Sequence, residues 1–142
     1  MQRYESTTAA GDLLRISLGI MYVTHSVVLK VATYGFDGTA QYFESIGLPG
    51  ALAYLTIFAE ALGGALLIAG YKARETALVL APILAGALWA HSGNGWVFSN
   101  EGGGWEYPLF LIVVSLAVAL NPGRVLVPRP ARVARQPAAL SR

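Results

Sequence analysis

The chain has 142 residues, no cysteine and a formal net charge of +2; 55% of its residues are apolar and 13% are charged, against about 25% charged in an average soluble domain. With a mean hydropathy of +0.53, so few charges cannot coat a water-facing surface, whereas a lipid-facing one needs none. The missing cysteines exclude disulfides, thiolate-held zinc, iron–sulfur clusters and thiol relays carried by this chain alone, and no basic stripe suited to nucleic acid is visible.

Residues 1–11 read as a short cytoplasmic lead-in, followed by a first apolar stretch from Leu13 to Lys30. Its length fits the roughly 17–25 residues that cross a hydrocarbon core as helix. The basic region before it is weak, Lys30 ends the apolar run and no Ala-x-Ala site appears, so it reads as a retained span and not a cleaved leader. Val31 to Gly50 is a long aromatic-bearing loop, whose middle (Gly38 to Ile46) suits a short amphipathic helix on the outer face.

The second stretch, Leu52 to Ile68, lacks the polar face that a soluble bundle helix repeats every three to four residues. Within it, Ala59, Gly63 and Gly64 have the small-residue spacing that lets helices approach closely. Gly70 to Arg74 is a tight turn with Gly70 as a helix stop. The third stretch, Ala77 to Ala90, contains Pro82, expected to kink it. Ser92 to Trp105 is a glycine-rich loop with Trp96, Phe98 and Trp105, residues that favour a membrane–water interface. The fourth stretch, Tyr107 to Leu120, like the third, needs flanking residues to reach spanning length. Residues 124–142 form a Pro- and Arg-rich tail, expected to be disordered and to rest on anionic lipid.

The fold expected is therefore all-α: an integral membrane four-helix bundle in the cell's cytoplasmic membrane. With the N-terminus inside, nine of the ten lysines and arginines fall on the cytoplasmic side and only Lys30 on the other. That bias puts both termini in the cytoplasm.

Arg15-Ile-Ser-Leu-Gly19, His25 through Lys30, Gly47-Leu-Pro49, Glu60-Ala-Leu-Gly-Gly64, Gly70 with Arg74, His91-Ser-Gly-Asn-Gly-Trp-Val-Phe98, Glu106-Tyr-Pro108 and Asn121-Pro-Gly123 occur in this order. In that order and spacing the chain resembles the DoxX family of membrane proteins from about Leu14 to Gly123, within a four-span domain drawn at 12–123. Ser26 stands where the pattern has glycine after the histidine, and Asn121 where glycine precedes Pro-Gly. The resemblance implies a bundle associated with quinone-linked or oxidative-stress redox complexes, without fixing an activity.

Ionisable groups at membrane depth are costly and face a bundle interior or a wet cavity. Glu60 lies near the middle of the second span, about 15 Å from either end at 1.5 Å per residue. A lone carboxylate there would take up a proton, and a cationic partner would keep it ionised. His25, Lys30, Glu60, His91 and Glu106 all fall at the midplane or in the outer half, suggesting a polar pocket that opens outward between the helices. One reading has this pocket bind a quinone headgroup or similar small polar molecule, with Glu60 or His25 exchanging its protons. The other has Glu60 bond His25 or Lys30 to fix helix packing, with no ligand.

Haem between the two histidines is disfavoured, because they sit about 18 and 27 Å from the inner end by helical rise, and the histidines and glutamates lack zinc-ligand spacing. No metal is expected, and no cofactor motif or nucleophile–base pair is present. The chain reads as an accessory subunit and not as an autonomous enzyme, its partners being the lipid bilayer, other proteins of a membrane complex and further copies of itself. Two other readings stay open: a small-solute transporter, and an adaptor that recruits partner proteins.

Overall fold

The computed structural model describes residues 2–124, with side chains from residue 8 onward. The basic tail beyond Arg124 lies outside the described residues. Those described form only helices, turns and loops, with no strand among them. Helix α1 (Gln2–Val23) runs directly into a ten-residue π-helix (Thr24–Thr33). Then come α2 (Gly35–Ser45), α3 (Ala51–Ala69), α4 (Ala73–His91), a single 3-10 turn (Ser92–Asn94) and α5 (Glu106–Leu120).

Three helical segments are long and apolar enough to cross a membrane: Thr8–Thr33, Ala51–Ala69 and Ala73–Asn94. They contain the first three apolar stretches and extend each at both ends. Helix α5 is as apolar but has 15 residues, about 22 Å at 1.5 Å per residue. That falls short of a hydrocarbon core about 30 Å thick. The α2 segment begins three residues before the amphipathic helix expected from sequence and ends one residue earlier. Pro82 lies inside α4, which continues through it.

The helices pack through small residues and a thin apolar core. α1 contacts α3 and α5, and α4 contacts the same two. Leu18 and Tyr22 of α1 meet Leu67 of α3, Leu80 and Leu84 of α4, and Leu111 and Val118 of α5. Where α1 crosses α3, a Cβ on Gly19 would lie 2.7 Å from the Gly64 carbonyl oxygen, and a Cβ on Gly64 would lie 2.7 Å from that of Gly19. Each glycine is the space into which the other's backbone fits. Gly63 does the same for the Leu80 side chain. Without a hydrophobic driving force between helices in lipid, such close backbone approach supplies the packing energy.

At the end of the helices where α3 stops, Arg15 is fully buried. Its guanidinium donates to the carbonyls of Leu67 and, at 2.7 Å, Ile68, and pairs with Asp12 at 3.2 Å. A helix C-terminus presents unpaired carbonyls and partial negative charge, which a cation offsets. Gly70 closes the same helix in the left-handed region (φ +72°), its N–H and that of Tyr71 returning to Leu67 and Leu66. Asp12 also binds Arg124 at 3.0 Å, and Gly11 lies against Asn121, so the start of α1 and the residues after α5 meet there. Only the Arg15 Nε lacks a partner among the described buried side chains.

Candidate functional site

The polar centre is built where the first helix changes pitch. In the π-helix the hydrogen bonds span five residues, as in Tyr34 N–H to the Leu29 carbonyl at 3.0 Å. Short π segments recur at functional positions because they re-aim side chains. Here the segment carries His25, Ser26 and Lys30. Ser26 is fully buried and donates to the Ile57 carbonyl of α3 at 2.7 Å. The hydroxyl that departs from the glycine pattern thus has a defined partner. Thr39 of α2 donates to the Lys30 carbonyl at 2.8 Å and to that of Gly35 at 2.9 Å, pinning the end of the π-helix.

Lys30 Nζ donates to Glu60 Oε2 at 2.5 Å. The Glu60 side chain is 6% exposed and that of Lys30 20%, so the carboxylate is inside and its cation reaches in from the rim. His25 interacts electrostatically with the same carboxylate. Its Nδ1 lies 3.2 Å from the Met21 carbonyl; a carbonyl only accepts, so Nδ1 carries the proton and Nε2 is left for another partner. The imidazole lies 6.2 Å from the Tyr107 ring of α5, nearly parallel at 24°. Deeper in, Tyr22 is 1% exposed, with its hydroxyl 3.4 Å from the Leu80 carbonyl and in hydrogen-bonding reach of Ser115. Ser115 donates to Leu111 at 2.8 Å.

Of the five residues expected to share a pocket, a direct contact joins Lys30 to Glu60, while His25 touches the Met21 carbonyl and the Tyr107 ring. His91 and Glu106 instead bond the backbone of the 92–105 loop. His91 Nδ1 donates to the Gly102 carbonyl at 2.9 Å, and Glu106 Oε1 accepts from the Phe98 N–H at 2.9 Å. Asn94 donates to Gly102 and Gly103, and the Trp96 and Trp105 rings meet edge-on at 4.5 Å. The loop is a hydrogen-bonded cap, which explains its need for glycines at positive φ (95, 102 and 103).

An open apolar groove of about 480 Å³ runs along α5 from this cap. Trp96 and Phe98 stand at one end and Phe110 and Val113 at the other, with Tyr107 and Leu109 between. Glu106 is the one charged residue in its wall. Tyr107 therefore borders the groove while its ring also lies against His25.

Sequence reading passed over Arg15 as a site-shaping group, along with Tyr22, Ser115 and Tyr107. For Arg15 the signal was present: Asp12 and Arg15 stand three apart at the start of an apolar run, an intrahelical charge pair. The serine and tyrosines carry no such mark.

Comparison with known proteins identifies the family. The DoxX family profile matches residues 11–93. The chain is 31% identical over 118 residues to a Bacillus subtilis (strain 168) protein named "Putative oxidoreductase CatD", covering 83% of each chain. No solved structure matches. The matched segment spans the charge pair of α1, the Gly19–Gly64 crossing, the Lys30–Glu60 pair and His91. With three helices of membrane-crossing length and composition, the chain is a multi-pass membrane protein of the DoxX family.

Proposed function

We propose that this chain is an accessory subunit of a quinone-linked or oxidative-stress redox complex in the cytoplasmic membrane. In this reading it spans the bilayer four times with both termini in the cytoplasm, and Lys30, Glu60 and His25 form the binding site for a quinone headgroup. The observation that carries it is the ion pair of the buried Glu60 with Lys30, formed from the same π-helix that carries His25. A polar centre of this kind is expensive inside a bilayer and marks substrate or proton pathways. The relative's name, an oxidoreductase, supports a redox setting. The closed set of contacts α1–α3–α4–α5–α1 supports a four-span bundle, and the charge bias supports its orientation.

Chemically, a quinone that receives two electrons from an electron-carrying partner protein also takes up two protons, one at each carbonyl oxygen. Lys30 is a donor suited to one such oxygen, and His25, with Nε2 uncommitted, is a group able to pass a proton to the other. In this reading His91 and Glu106 hold the loop that caps this end of the bundle.

Native mass spectrometry of the protein extracted from its own membrane in mild detergent tests the reading. A reproducible adduct of quinone mass, lost in Glu60→Gln or His25→Ala, supports it. A second reading is favoured by the same 2.5 Å bond: the ion pair fastens the π-helix to α3 and no ligand binds. A bare oligomer, or a complex with another protein that carries no small adduct, sinks the quinone reading and leaves this one.

A further inference from the structure

The groove on α5 and the polar centre are linked through one residue. Tyr107 lines the groove on one side, and its ring lies 6.2 Å from the His25 imidazole on the other. The groove faces away from the neighbouring helices: Phe110 is 61% exposed and Val113 55%. Its walls are apolar and aromatic apart from Glu106, and one Glu106 oxygen is already occupied by the Phe98 N–H. Its volume of about 480 Å³ falls within the roughly 300–1,000 Å³ of small-molecule sites. An apolar trough bordered by an aromatic ring, with a histidine against that ring and the paired Lys30 on the same π-helix, suits a molecule with two unlike ends.

We infer that the α5 groove holds the apolar tail of a membrane-dissolved ligand whose planar polar head passes Tyr107 to reach His25, Lys30 and Glu60. This rests on the reading of the polar centre as a headgroup site, and it adds the ligand class and the route. The ligand is an amphiphile with a flat head, and it enters sideways from the bilayer. Tyr107 is the turning point of this route, since it both lines the groove and stacks on the imidazole. The shared residue separates this occupant from an ordinary lipid chain, which would fill the groove without any dependence on the polar centre.

The test uses the full chain in lipid nanodiscs and two probes with the same head, a decyl-substituted benzoquinone and its methyl-substituted counterpart. Binding is read by quenching of tryptophan fluorescence, corrected for partition into empty nanodiscs. Val113→Phe fills the groove from its exposed side. It is expected to weaken the decyl probe by roughly tenfold and the methyl probe by less than about twofold. Glu60→Gln is expected to weaken both. Equal effects of Val113→Phe on the two probes, or none on either, overturn the tail groove. If Glu60→Gln still weakens both probes in that case, the headgroup site survives. If neither probe binds the wild-type chain, both the headgroup site and the groove are overturned.

Discussion

Lys30 and Glu60 meet at 2.5 Å across two helices, the lysine in the π-helical end of one and the glutamate at the midpoint of the other. Removing one partner leaves the other charge buried and uncompensated, a cost of about 3–5 kcal/mol, whereas replacing both with apolar residues of similar volume is often neutral. Glu60→Ala is therefore expected to lower the thermal midpoint of the detergent-solubilised protein markedly, and Lys30→Met with Glu60→Leu to recover most of the loss. Equal losses in the single and double variants would show that the pair does not act as a unit.

The α1–α3 crossing makes a sharper steric prediction. A methyl group at Gly19 or Gly64 would press on backbone oxygen at 2.7 Å, and backbone cannot swing aside as a side-chain end can. Overpacking of this kind costs about 1–3 kcal/mol. Gly86 of α4 is the internal control, because a Cβ there meets nothing within 4 Å. Gly64→Ala should destabilise, while Gly86→Ala should be neutral or stabilise by about 0.5–1 kcal/mol through helix propensity. Thermal unfolding of the two variants in one detergent checks the contrast.

Arg15 offers a third prediction. Its guanidinium serves the Leu67 and Ile68 carbonyls and Asp12 together, a fork that a lysine ammonium does not reproduce. Arg15→Lys should rescue only part of the stability lost in Arg15→Ala. Arg124→Ala, which breaks an ion pair that is 69% exposed on the arginine side, should shift the midpoint little, since exposed pairs contribute about 0–1 kcal/mol. If Arg124→Ala proved as damaging as Arg15→Ala, the junction would depend on the end of α5 and not on the α3 cap.

These positions show why some of the molecule was legible in its sequence and some was not. Span positions follow from composition, because lipid imposes one requirement on every residue of a crossing segment. Glu60 stood out because a carboxylate in an apolar run is costly wherever its neighbours lie. Its partner had to be chosen by depth alone, which left His25 and Lys30 both open; the structure gives the bond to Lys30. Depth also grouped His91 and Glu106 with them, but hydrogen bonds follow direction as well as level, and these two turn to the loop backbone. The π-helix was invisible, because nothing in the composition of residues 24–33 marks a change of pitch, and the hydrogen bonds that Ser26 and Thr39 make there join residues far apart in sequence or in separate elements.

The loop cap gives a fourth prediction. Gly102 and Gly103 hold φ of +77°, a conformation that costs other residues roughly 1–2 kcal/mol. Gly102→Ala should loosen the Asn94 and His91 bonds to this segment and separate Trp96 from Trp105. A red shift in tryptophan emission with faster protease cleavage in residues 92–105 is expected, and an unchanged spectrum with unchanged cleavage would count against an ordered cap.

Orientation can be tested without background, because the chain contains no cysteine. A single cysteine introduced at Glu101 in the loop, or at Lys72 in the turn between α3 and α4, reports its own side of the membrane to an impermeant maleimide. Glu101 is exposed, and so is Lys72. Lys72 has a left-handed backbone (φ 45°), so its replacement tests topology and is not a measure of stability. Nine of the ten basic residues lie on the side of Lys72 if the chain crosses four times, and positive loops stay in the cytoplasm. Intact spheroplasts should therefore label Glu101→Cys at once and Lys72→Cys only after permeabilisation. The reverse pattern would turn the bundle over, so that the Lys30 rim faced the cytoplasm and protons for the polar centre came from the cell interior. Labelling of both sites in intact cells would instead show that the segment from Ala73 to Asn94, long enough to cross, does not.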